Sequence, residues 1–140
     1  MHELLKILPI ALYFIVGLIS LVMAFKSLSN KYLSFHEQAA AKPWNEIDDR
    51  LKLVILFLLR LGGLGFLIIA ILLLVFPVVS YFGPNKFYQL SIPFIALIYC
   101  TGLFVNNYWL YKNTKADTPW KGSLYATGIL MAGIIIAIVN

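Results

Sequence analysis

Charge is what this chain has least of. Asp, Glu, Lys and Arg make up 12% of its 140 residues, about half the share of an average soluble domain. Acid is scarcer than base, with six carboxylates against eleven Lys and Arg. The single cysteine, Cys100, excludes an intrachain disulfide and removes every multi-cysteine metal pattern. There is no glycine-rich phosphate loop, no nucleophile elbow and no metal-ligand spacing, so nothing in the chain implies a cofactor or a metal. Residues 7–25 hold no carboxylate, which leaves the first apolar run without an acid for proton-coupled export.

Apolar sequence is present in excess. Hydrophobic residues are 61% of the chain and the mean hydropathy is +0.88, against roughly 45–50% apolar in a soluble domain. A chain this short cannot bury so much apolar surface against itself, so lipid must be part of its solvent. The reading is an all-α integral membrane protein. Four transmembrane helices, at about 7–26, 51–77, 88–109 and 119–139, form a bundle and one membrane domain over residues 1–140. Each run approaches or exceeds the roughly 20 residues that cross a bilayer, and the second exceeds it, so it tilts or projects. Val22-Met23-Ala24 resembles a small-residue cleavage site. However, more positive charge follows the first run than precedes it, opposite to a signal peptide, so a retained helix is expected.

Helix boundaries have local signals. Asn45 with Asp48 three residues later resembles a capping box for the second helix. Thr118 suits the cap of the fourth, with Pro119 at its first position. Pro77 and Gly83-Pro84 are expected to end the second helix.

The net charge of +5 raises nucleic acid as a partner, but its distribution argues against that and for headgroups. Lys26, Lys31, Lys42, Arg50 and Lys52 flank the first loop, and Lys112, Lys115 and Lys121 flank the third. Lys6 and Lys86 are the two on the other side. The positive-inside rule then makes loops one and three cytoplasmic and puts both termini outside a plasma (inner) membrane.

The halves of the chain echo each other. Pro43-Trp44 and Pro119-Trp120 each precede an apolar run, and each follows a run with an early proline, Pro9 or Pro93. This order fits two tandem, parallel helical-hairpin repeats. It also fits Trp at interfaces and Pro at helix starts, without duplication. Pro9 to Trp44 is 35 residues against 27 from Pro93 to Trp120, an excess of eight in the first loop, where residues 34–41 lie. The segment from Leu28 to Ala41 is also compatible with a short interfacial helix presenting Tyr32 and Phe35 to lipid.

Arg60 is the costliest residue, since an arginine at mid-membrane costs about 2.5–3.5 kcal/mol on insertion scales. Either it snorkels to headgroups or it faces inward with partners. Asn106, Asn107, Tyr125 and Thr127 lie at comparable depth and would complete a cytosol-facing polar pocket. Guanidinium, amide and hydroxyl donors suit a phosphate or carboxylate, including an anionic lipid headgroup. Asn106 and Asn107 are adjacent and cannot both point inward on a helix; interhelical bonding is their alternative role. His36-Glu37, near Asp48 and Asp49, is the better acid–base grouping; His2-Glu3 is expected to be frayed and solvated. Gly62, Gly63 and Gly65, the pair Gly128 and Ala132, and the pair Gly133 and Ala137 allow close helix approach, within the bundle or between protomers. Tyr108, Trp109, Tyr111, Trp120 and Trp44 form an interfacial belt.

Three functions follow as expectations. The first is non-enzymatic binding or transport of an anionic small molecule or lipid around Arg60. The second is an interfacial lipid-modifying enzyme using His36 and Glu37. The third is an accessory subunit, with a homo-oligomer or a larger membrane complex as partner.

Overall fold

The computed structural model describes residues 2–81 and 86–139, apart from the side chains of 2–6, 76, 78–81 and 86–89. The described residues form five helices and no strand: α1 (His2–Ser29), α2 (Ser34–Ala40), α3 (Asp49–Tyr81), α4 (Lys86–Thr114) and α5 (Trp120–Val139). A 3-10 turn at Trp44–Glu46 lies between α2 and α3. Four segments are long and apolar enough to cross a membrane: Ile7–Ser29, Asp49–Val75, Leu90–Thr114 and Trp120–Val139. They coincide with the four expected runs.

The boundaries differ from expectation where local signals compete with helix continuity. α3 runs through Pro77 instead of stopping there. A helical proline forfeits the hydrogen bond to the carbonyl four residues back, here Leu73, yet in apolar surroundings continuing the helix leaves fewer backbone groups unpaired. Gly83-Pro84 and the His2 and Glu3 side chains lie outside the described residues. The Asn45 capping box is not formed. Asn45 sits in the 3-10 turn, and α3 opens with Lys52 N–H donating to Asp48 O at 2.9 Å. Asp49 occupies the first turn, where a carboxylate favours the positive end of the helix dipole. α4 continues past Trp109 to Thr114 and ends on Lys115, a left-handed residue at φ 58. The Lys115 N–H donates back to Tyr111 O at 2.8 Å, a left-handed helix ending.

Each long helix packs on two others: α1 on α3 and α5, and α4 on α3 and α5. The core takes two buried residues from each, three or four apart, so that both lie on one face. These are Tyr13 and Val16, Ile69 and Leu73, Ala96 and Cys100, and Ala126 and Leu130. The outer faces remain apolar, with Phe25, Phe57, Ile68, Ile98 and Ile138 all exposed.

Close approach depends on particular glycines. A Cβ at Gly63 would lie 2.9 Å from Leu28 Cγ and 3.0 Å from Ser27 Cβ, and one at Gly17 would lie 2.9 Å from Leu74 Cγ. These pairs fix the antiparallel register of α1 and α3. A Cβ at Gly133 would meet the Tyr13 ring at 2.6 Å, and one at Gly65 would meet the Tyr99 hydroxyl. Gly62 and Gly128 have open space instead. Ala132 is exposed and Ala137 half-buried. The expected small-residue set therefore divides: Gly63, Gly65 and Gly133 admit a neighbouring side chain, while Gly128 and Ala132 face outward.

Candidate functional site

The end of the molecule that carries the first and third loops also carries most of the basic residues, and it holds a cleft of about 170 Å³. Met23 and Ser27 of α1, Leu58, Leu59, Gly62 and Phe66 of α3, Leu103 and Asn107 of α4, and Pro119 form its walls. Leu33, Phe35 and His36, from the first loop and α2, lie across it. On α1, α3 and α4 these positions are about one to three turns from the core residues, towards the basic end. The cleft thus lies between the core and the basic end, and the first loop forms one of its walls.

Residues 34–41, the excess of the first loop over the third, fold as α2 and its left-handed cap Ala41 (φ 51). Three consecutive side chains hold this segment in place by accepting backbone N–H groups. His36 Nδ1 accepts from Leu33 at 3.0 Å. Glu37 Oε1 accepts from Trp44 at 2.7 Å. Gln38 Oε1 accepts from Asp117, in the third loop, at 2.6 Å. His36 does the work that Glu or Gln does in an ordinary capping box, reaching from the third helical position to the residue before the helix. Burial lowers its pKa below the usual 6.5, because desolvation penalises the charged imidazolium. His36 and Glu37 are not paired with each other; each binds a different stretch of backbone. Tyr32 stacks on Trp44 at 4.6 Å and 11°, closing the two ends of the loop on each other, while Phe35 lines the cleft.

The third loop is anchored just as closely. Thr118 is 4% exposed, and its hydroxyl donates to Asn107 O at 2.8 Å. The helix it precedes starts at Trp120. Asn107 Nδ2 donates to Ser123 Oγ at 3.3 Å, so Asn107 ties α4 both to the loop and to α5. Trp120 packs on Tyr108 and Tyr111 at 5.5 and 5.7 Å. The two Pro-Trp pairs therefore do different work: Trp44 closes a loop and Trp120 joins two helices.

Of the five residues expected to make a polar pocket, Asn107 alone lines the cleft. Asn106 is exposed and donates to Gly102 O of its own helix at 2.9 Å. Tyr125 is 68% exposed, and Thr127 donates to Ser123 O at 2.8 Å. Arg60 is exposed and makes no hydrogen bond or ion pair among the described residues. At about 100° per residue it lies roughly 140–160° around α3 from Gly62 and Gly65, whose backbone meets Tyr99 of α4. Gly63, which meets Leu28 and Ser27 of α1, is only about 60° around the helix from Arg60. Arg60 is thus on the α1 flank at the basic end, away from Asn107. The sequence did not single out Ser27, Ser123 or Gln38, and it offered Thr118 only as a helix cap, where its hydroxyl instead bonds Asn107 O. Ser123 had a signal, since it precedes Thr127 by one helical turn.

Exposed Asp49 pairs with Lys52 at 3.0 Å, within α3 and apart from His36. No group of three or more His, Cys, Asp or Glu that could hold a metal occurs among the described residues. Cys100 is free and buried in the core. No family model matches the chain, and no curated protein or solved structure is significantly similar to it.

Proposed function

We propose that this chain is a multi-pass protein of the plasma (inner) membrane that binds a lipid-like amphipathic molecule, without chemistry, in the cleft at its basic end. The observation that supports this is the lining. Leu58, Leu59, Phe66 and Leu103 offer an apolar wall, and Ser27, His36 and Asn107 offer three polar groups, the mixture typical of small-molecule sites. The lining holds no fixed charge, so the ligand's apolar body belongs in the cleft. Its head lies at the rim, where eight of the eleven cations favour an anion. Arg60, on the flank, contributes to that field and binds headgroups. The same charge distribution supports a cytoplasmic location for loops one and three. The outward pair Gly128 and Ala132 supports self-association, and the hairpins α1 with α3 and α4 with α5 are candidates for a duplication.

Native mass spectrometry of protein released gently from membranes tests the reading. The parent is expected to retain a stoichiometric lipid or small-molecule adduct. Gly62→Trp, which fills the cleft from a position with open space, is expected to lose it, and Gly128→Trp on the outer face to keep it. An adduct that survives Gly62→Trp, or a parent without any adduct, overturns the proposal.

One observation favours a second reading. His36, held towards its neutral form, lines the cleft and suits proton transfer to a bound lipid. Its Nδ1 is already engaged by Leu33, which leaves Nε2 to act. A lipid-modifying activity lost in His36→Gln while the adduct is retained would select the enzyme over the binding protein.

A further inference from the structure

We infer that the first-loop segment from Leu33 to Trp44 is a latch over the cleft, released when His36 is protonated; this rests on the cleft being the binding site. Four observations carry it. The segment forms one wall of the cleft, with Leu33, Phe35 and His36 among the lining residues. α2 has no buried residue, so little apolar burial opposes its opening, the condition for a locally low-stability element. Its bonds are polar: Gln38 accepts from Asp117 of the third loop, and His36 and Glu37 hold the segment's own two ends by accepting from Leu33 and Trp44. Finally, a protonated imidazole donates from both ring nitrogens and accepts at neither. The Leu33 N–H would then face a second N–H, and the bond that starts α2 becomes a repulsion.

The other residues that line the cleft carry no charge to stabilise the imidazolium, and the ring packed against it is that of Phe35, at 4.3 Å. From α1 the cleft is lined by Met23 and Ser27, from α3 by Leu58, Leu59, Gly62 and Phe66, and from α4 by Leu103 and Asn107, with Pro119 beyond. None of these titrates. On the segment itself, the Glu37 carboxylate is turned to the Trp44 N–H. Opening exposes His36 to water and restores its ordinary value near 6.5, above that of the closed state. The closed form is therefore favoured fully above about pH 6.5. It weakens as pH falls from there towards the lowered value, by up to about tenfold per unit for one proton.

Hydrogen exchange of the full chain in lipid nanodiscs, corrected for intrinsic rates, reads the latch with no ligand present. Protection at Leu33, Trp44 and Asp117 is expected to fall below about pH 6.5, while amides in the middle of α4 stay constant. His36→Gln supplies the usual capping-box acceptor without a titrating group. It is expected to keep neutral-pH protection and to flatten the pH response. Gln38→Ala is expected to lower protection at every pH and to keep the slope. A parent whose segment exchanges independently of pH, or a His36→Gln protein with the parent's slope, overturns the latch. If the latch responds but native mass spectrometry finds no adduct, the binding reading fails and the latch stands as a conformational fact.

Discussion

Gly62 and Gly63 are neighbours on α3, and alanine is expected to act on them with opposite sign. In a helix interior either substitution gains about 0.5–1 kcal/mol, because glycine is the more costly residue to order. That gain is common to both, so the difference between the variants isolates packing. At Gly62 the new methyl meets nothing within 4 Å, and the gain is retained. At Gly63 it lies 2.9 Å from Leu28 Cγ and 3.0 Å from Ser27 Cβ. Leu28 has a rotamer to change, but Ser27 Cβ moves only with its backbone, so α1 and α3 must separate. Overpacking of this kind costs about 1–3 kcal/mol. In lipid it is not offset by a hydrophobic drive between helices, whose association rests on packing. Gly62→Ala should therefore be stabilised, and Gly63→Ala should lie about 1–3 kcal/mol below it. Reversible unfolding in mixed micelles of increasing denaturing-detergent fraction, followed by tryptophan fluorescence, measures both. Equal shifts of the same sign would refute the close approach of α1 and α3 at this level, and with it the placement of Arg60.

Two further predictions concern the loops. Asn107→Leu removes the amide that bonds Ser123 and leaves the Thr118 hydroxyl bond to the Asn107 carbonyl intact. The same unfolding assay should register a loss of about 0.6 kcal/mol, with about 1.7 as the ceiling for one interhelical bond; no loss would mean that α4 and α5 are not joined there. Ala41→Gly relieves the left-handed strain at φ 51, so α2 should gain up to about 1 kcal/mol. Exchange protection of the Trp44 and Asp117 amides should rise accordingly, and a fall would contradict the C-cap.

How much of this could be read without the fold follows from the kind of signal involved. Hydropathy is summed over about 20 residues and helical rise is constant, so the four apolar helices, and the loops between them, are legible in one dimension. The basic asymmetry that supports the proposed orientation is legible for the same reason, since it is a tally along the chain. Pro77 misled because a local breaker was weighed without the apolar surroundings that favour an unbroken helix. The eight extra residues of the first loop could be counted, but their place across the cleft could not, because Gln38 and Asp117 are 79 positions apart.

The site depended on rotation. These helices are apolar nearly all round, so no amphipathic stripe marks the inward face, and the azimuth of each side chain is undetermined by pattern alone. Glycine contacts between helices decide it: Gly63 on Leu28 and Gly133 on Tyr13 set the rotation and register from which the rest follows. That rotation turns Asn107 into the cleft and its neighbour Asn106 out, and carries Arg60 to the α1 flank. By itself the sequence determined which segments are apolar helices and where charge accumulates, because those are sums over residues. The tertiary structure alone decided which polar groups meet, because that depends on angles about helix axes that only packing against a neighbour can fix.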